Sequence, residues 1–382
     1  EHVVFIVIFA GSSLLALQSQ AAQNRSKSSV LSAGLYIPFL LWLGASTLWS
    51  GVFHLSLSYA VIAVLVAVSA ALLAYSMSPK SVLLGVASGV GFILMHATIS
   101  DGKPLSEIVS GRILGLFTNI SSMSFLLGVG LIAILLVPTS SFAFRLLTIA
   151  GGGFFLALAQ AQDVLTSIVA SIAAIAVSLM VIHVRSSKSN RRNLFGWGYA
   201  VLVFLGATLF WFFREPILRP LGEGPDLSGR VILWDWYFEA FLWRPFLGAG
   251  WGNTVGWPPL QPDRLAPAKE FYPAHNGFID LGLVLGGIGA LLMIATLVAL
   301  FFAGGKLAID KTYSASYVFI PALITYLTLN DLIATSLPRL IGLSLVGLMV
   351  GMDFRAPEPS LRYNLNLKFL VGRGRSSNLA KT

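Results

Sequence analysis

Residues 277–303 read GFIDLGLVLGGIGALLMIATLVALFFA, a run whose only ionisable side chain, Asp280, stands next to its start. A helix rises about 1.5 Å per residue, so this run outlasts the hydrocarbon core of a bilayer, about 30 Å thick. Comparable apolar runs at 3–17, 33–49, 57–75, 82–96, 122–137, 142–159, 164–184, 194–213, 313–329 and 340–352 bring the expected total to about eleven spans. They are too numerous to be signal peptides. Only helices or closed barrels satisfy the backbone in lipid, so the expected fold is all-α, a polytopic integral membrane protein.

Composition agrees. The chain has 382 residues, 56% of them hydrophobic and 11% charged, with a mean hydropathy of +0.82. A water-soluble domain of this length has no way to cover that much apolar surface. There is no cysteine, which excludes disulfides, a thiolate nucleophile and cysteine-based metal sites and leaves the redox compartment unreadable. The net charge of +9 lies mostly in short loops and the tail, where membrane orientation accounts for it, and no basic, aromatic surface of the nucleic-acid-binding kind is evident.

The basic residues set the orientation. With Arg25 and Lys27 cytoplasmic, Lys80, the cluster Arg185, Lys188, Arg191 and Arg192, the pair Lys306 and Lys311, and the tail from Arg355 to Lys381 also fall inside. The N-terminus is then outside, and because Glu1 is not an initiator methionine, at least one further span is expected to precede it. Four regions follow: a transmembrane bundle over 1–213, an outer loop over 214–276, further membrane helices over 277–353 and a basic cytoplasmic tail over 354–382.

The outer loop is the largest soluble piece and holds Arg214, Arg219, Arg230, Arg244, Arg264, Lys269 and His275. Function is expected there, since long loops rich in specific side chains carry function and mid-span positions are almost free of the ionisable groups that ion-coupled transport needs. Within the loop, Arg230–Trp243 (RVILWDWYFEAFLW) predicts a helix with Asp235 and Glu239 on one face. Trp234, Trp236, Tyr237 and Trp243 suit the headgroup level, so the helix is read as interfacial; an ordinary packed loop helix is the alternative. Arg230 puts a cation at a helix N-terminus, unfavourable unless an anion such as a diphosphate binds between the guanidinium and the free amides. Snorkelling to lipid headgroups is the other use of such an arginine.

The following glycines, in RPFLGAGWG, lack the strand and βαβ context of a dinucleotide loop and predict a tight turn back to the membrane surface. Asn276 predicts a helix N-cap, which sets His275 at the positive end of a helix. A neutral imidazole there can accept a proton from a sugar hydroxyl; a polar interfacial anchor is the alternative. His54 and His96, and the acids Asp101, Asp280 and Asp331, read mainly as interfacial anchors near span ends. Ligands at defensible spacing are lacking, so no metal is expected.

The strings SGRVILWDWYFEAFLWRPFLGAGWGN and YPAHNGFIDLGLVLGGIGALL resemble the hallmark of the O-antigen ligase and Wzy polymerase superfamily: a Gly-Arg before an aromatic helix, an Arg-Pro-x-Leu-Gly-x-Gly turn and a His-Asn opening. The spelling is most similar to the exopolysaccharide polymerases of the ExoQ type. Ser46 to Ser50 (STLWS) and Gly115 to Asn119 (GLFTN) agree more loosely. The resemblance implies a GT-C-like helical fold in the bacterial inner membrane, working without metal or other cofactor at the periplasmic face on undecaprenyl-diphosphate-linked oligosaccharides. It implies that Arg230 holds the diphosphate and that His275 activates the acceptor hydroxyl. Relatives usually carry a basic residue where this chain has Gln162 followed by Asp163. Arg244, Arg214 or Arg339 would then supply the second charge, with Asn276 and Gln162 also facing substrate.

The expected activity is polymerisation, in which one lipid-linked glycan is donated to the terminal sugar hydroxyl of another. A ligase delivering finished glycan to lipid A core or to protein is the close alternative, and a lipid-glycan flippase or export scaffold a more distant one. Expected partners are the lipid-linked donor and acceptor, the bilayer and a chain-length co-polymerase, with no nucleic acid.

Overall fold

The computed structural model describes residues 36–76, 78–100, 120–137, 146, 150–153, 165–186, 230–253, 276–311 and 313–329. Every regular element among them is helical: α1 Tyr36–Ala45, continued by a 3₁₀ turn over Ser46–Trp49; α2 Phe53–Ser76; α3 Pro79–Ser100; α4 Ile120–Leu135; α5 Leu165–Ser186; α6 Arg230–Trp243; α7 Gly277–Ile309; a 3₁₀ turn over Ala315–Val318; and α8 Phe319–Leu329. The expected spans at 57–75, 82–96, 122–137, 164–184 and 313–329 thus coincide with helices whose ends differ by a few residues. Those at 3–17, 194–213 and 340–352, and most of 142–159, lie outside the described residues.

Hydroxyls shape the junctions. Ser46 Oγ donates to the Leu43 carbonyl (2.7 Å) and Thr47 Oγ1 to that of Gly44 (2.8 Å), tightening the end of α1 into the 3₁₀ turn, so that α-helix stops at Ala45 where the apolar run predicts it to Trp49. Ser78 Oγ accepts from the Ser81 amide (3.2 Å) while Pro79 opens α3, a pairing that satisfies a free helix-start amide and wastes none on proline.

In the core, α5 lies against α4, α7 and α8, while α3 packs on α4 and α1 on α7. Its largest fully buried side chains include Phe39, Tyr317, Phe319 and Tyr326. Outward faces are also apolar. On α7, Ile288, Leu291, Ile294, Val298 and Phe302 recur at three- and four-residue spacing and are all exposed; Phe53, Leu57, Val61, Val64 and Val68 do the same on α2. Contiguous apolar stripes of this length are foreign to surfaces that meet water. Two helices among the described residues, Ile168–Ser186 and Gly277–Ile309, are long and apolar enough to cross a membrane.

The helix α7 departs from the continuous span expected over 277–303. Gly286 has φ 68° and ψ −178°, which breaks the helix into an upper arm and a longer lower arm. A left-handed φ is open to glycine and disfavoured for residues with a Cβ. The cluster of glycines at 282, 286, 287 and 289 is the visible sign of this break.

Candidate active site at two parallel helix starts

The upper arm of α7 carries α6 beside it, and the two run parallel. Tyr237 lies beside Asp280, Phe241 would sit 3.5 Å from a Cβ on Gly282, and the Pro245 carbonyl accepts from the Gly287 amide (2.6 Å). Residue numbers on both helices rise together, so the start of α6 and the start of α7 lie at the same end. Tyr237, Ala240, Ala249 and Leu283 form the shared core, with Trp234, Phe241 and Ile279 packed against it. On the far side Trp236, Phe238, Leu242 and Trp243 are exposed. The helix is therefore packed on α7 along one face, while its outward face carries the exposed carboxylates of Asp235 and Glu239 between exposed aromatic and apolar side chains.

Counting back from the Tyr237 and Asp280 pair, Arg230 is seven residues away, about 10 Å along α6, and Asn276 is four residues away, about 6 Å along α7. Both helix starts therefore open within about one turn of each other in height. Parallel neighbouring helices add their dipoles, so this end is electropositive before any side-chain charge is counted. On α7, Asn276 is the N-cap: its Oδ1 accepts from the amides of Phe278 (3.1 Å) and Ile279 (3.4 Å). That satisfies two of the amides at the start of α7.

Asp280, in the first turn of α7, is buried. An acid there is favoured by the dipole. Burial, and secondly the Asp280 carboxylate, push the Tyr237 phenol above its usual range, so it stays a neutral donor throughout the physiological pH range. The pair lies where α6 meets the first turn of α7, a meeting that neither residue announces in the sequence.

Below the pair, the glycines form the expected tight turn, with positive φ at Gly248, Gly250 and Gly252, and the first two of them are buried. Gly248, Ala249 and Gly250 dock into the break of α7, while the Trp251 amide donates to Ser46 Oγ at the end of α1. The amides of Ala249 and Gly250 donate to the carbonyls of Leu283 and Val284, each at 2.8 Å. An unbroken helix would satisfy those carbonyls internally, and here the turn does it. Gly248, at φ 67°, is glycine by necessity, since a Cβ there would lie 2.4 Å from the Gly286 nitrogen.

Of the residues singled out from the sequence, Arg230 and Asn276 come to one end of the helix pair. Arg244 does not: it is exposed just past the end of α6, fourteen residues or about 20 Å along the axis from Arg230. His275, Arg214, Gln162 and Arg339 lie outside the described residues. Among the described residues no group of three His, Cys, Asp or Glu side chains comes together to hold a metal. No protein-family model matches the chain, and no curated protein matches it significantly.

Proposed function

We propose that this protein is a polytopic inner-membrane glycosyltransferase that polymerises lipid-linked glycan repeats at the periplasmic face. The observation that carries the reading is the parallel alignment of α6 and α7, because it opens the Gly-Arg helix and the His-Asn helix at one end. The apolar stripe on α7 supports the membrane setting: from Ile288 to Lys306, which is exposed, is eighteen residues, about 27 Å, close to the thickness of a hydrocarbon core. The stripe starts just below the break at Gly286, so the upper arm and α6 stand at and above the outer boundary.

In this reading the acceptor hydroxyl oxygen attacks the anomeric carbon of the donor, and the bond to the diphosphate breaks with its electron pair. Arg230 and the α6 amides stabilise the charge gathering on the leaving diphosphate. His275, one position before the α7 cap, takes the hydroxyl proton. Within this proposal Arg244, at the lower end of α6, faces headgroups and is not a second clamp on the same phosphate.

The test is transfer by the full-length protein in nanodiscs given purified lipid-diphosphate repeat and no other acceptor. A polymerase lengthens the glycan, and His275→Ala lowers the rate about 10²- to 10⁴-fold. Arg230→Ala is expected to abolish lengthening in cells that lack the native enzyme. Unaltered polymerisation by either variant defeats the proposal, and an unchanged repeat number with the unaltered protein favours ligation.

A further inference from the structure

The register of α6 against α7 starts from backbone bonds, the Gly287 amide on the Pro245 carbonyl and the Ala249 and Gly250 amides on Leu283 and Val284. Above those bonds the contact is largely apolar and passes over Gly282, where a smooth surface resists sliding poorly. Lower down, α1 and the 3₁₀ turn after it bond to both α7 and the turn that continues α6. Trp42 Nε1 donates to the carbonyl of Leu285 on α7 (2.9 Å), and Trp49 Nε1 donates to the carbonyl of Leu247 in the turn that continues α6 (3.1 Å). Between them Ser46 Oγ, fully buried, accepts from the Trp251 amide (3.0 Å). The two indoles pack on each other, their ring centroids 5.5 Å apart. Residues 42, 46 and 49 follow the spacing of one helix face, which lets a single short element hold two backbones more than thirty residues apart in the chain.

We propose that Trp42, Ser46 and Trp49 form a clamp that reinforces this register and holds the height of α6 against α7, and hence that they are positioning residues for Arg230 and the start of α7. The proposal rests on the polymerase reading for its effect on turnover, but the clamp itself can be measured without activity. Catalysis that depends on two helix starts meeting at one diphosphate is sensitive to displacements of about 1 Å, which cost up to about a hundredfold in rate.

The chain has no cysteine, so paired spin labels can be placed without background. Labels at Glu239→Cys on α6 and Leu291→Cys on α7, both exposed, report the height directly in nanodiscs. The parent pair is expected to give one narrow distance distribution. Trp42→Phe with Trp49→Phe keeps both rings and removes both donors, and it should broaden or shift that distribution. In the unlabelled protein the same substitutions should lower kcat about ten- to a hundredfold with KM changed less than about threefold. Ser46→Ala, which loses a single oxygen, repeats the test should the double variant fail to fold. A distribution identical to the parent's overturns the clamp, and a shifted distribution with unchanged kcat overturns its positioning role. If the unaltered protein transfers no glycan, the functional reading falls while the distance measurement still decides the clamp.

Discussion

A Cβ placed on Gly286 would lie 2.1 Å from the carbonyl oxygen of Phe246. The helix break and the buried turn therefore occupy each other's space so closely that only hydrogen fits between them. Gly286→Ala must both leave a left-handed φ, which costs about 1 to 2 kcal/mol for an L-residue, and push the turn away, which costs about 1 to 3 kcal/mol more. We expect a destabilisation of about 2 to 5 kcal/mol, read as loss of monodisperse protein on gel filtration and a lower Tm. Gly89→Ala is the control: nothing lies within 4 Å of a Cβ at that site inside α3, and its Tm should hold or rise, since alanine suits a helix better than glycine. Equal behaviour of the two variants would mean that the break is incidental.

Asn276 separates capping from chemistry. Its Oδ1 serves two amides of α7, so Asn276→Ala should cost about 1 kcal/mol and lower the Tm, whereas Asn276→Asp, an equally good cap, should retain it. In the transfer assay the aspartate adds negative charge where a diphosphate is proposed to bind. Its KM for the lipid donor should therefore rise while its Tm holds. If Asn276→Ala leaves the Tm untouched, the cap is not holding the helix start.

The helices were legible because a long apolar run leaves few alternatives in lipid, and α6 was legible down to its ends, Arg230 and Trp243. The start of α7 was equally plain, since asparagine before a glycine-led apolar run is a strong cap. What periodicity did not disclose was the break. Gly286 lies inside a run that stays apolar on both sides, and hydropathy is blind to φ. The tight turn was legible in its alternating glycines but its burial was not, because such glycines suit an open turn and a backbone squeezed against another backbone equally. The partners that settle the matter, Trp42 and Ser46, are more than two hundred residues away. The Tyr237 and Asp280 pair was hidden likewise, because spacing along the chain says nothing about which side chains meet across helices.

At the other end of α7, Arg185 closes the helix from α5. Its guanidinium donates to the carbonyls of Ala308 (2.7 Å), Asp310 (2.9 Å) and Tyr313 (2.7 Å). In the sequence this arginine counts only as one of the basic residues that orient the membrane; in the fold it also caps the last turn of α7, where cations suit the dipole. Arg185→Ala leaves three half-buried acceptors to find other donors and should cost about 2 to 3 kcal/mol. Arg185→Lys keeps the charge but lacks the planar fork and should recover less than half of the lost Tm. Full recovery by lysine would show that charge, and not geometry, is what the site requires.

Tyr237 gives the protein an alkaline limit. Burial, reinforced by the Asp280 carboxylate, raises the phenol in the folded state above the value of about 10 it has when unfolded. Folding therefore favours the protonated phenol, so the stability tied to this proton is fully present below about pH 10 and is lost as pH rises from there toward the folded-state value. The expected result is a fall of Tm with pH above about 10 that is shallower in Tyr237→Phe than in the parent, the difference between the two curves cancelling the other tyrosines and lysines. Asp280→Asn removes the second cause but not the first, so its slope should fall between those of the parent and Tyr237→Phe. Parallel curves for all three proteins would show that the phenol exchanges its proton as freely when folded as when unfolded, and would remove the tie between α6 and the first turn of α7.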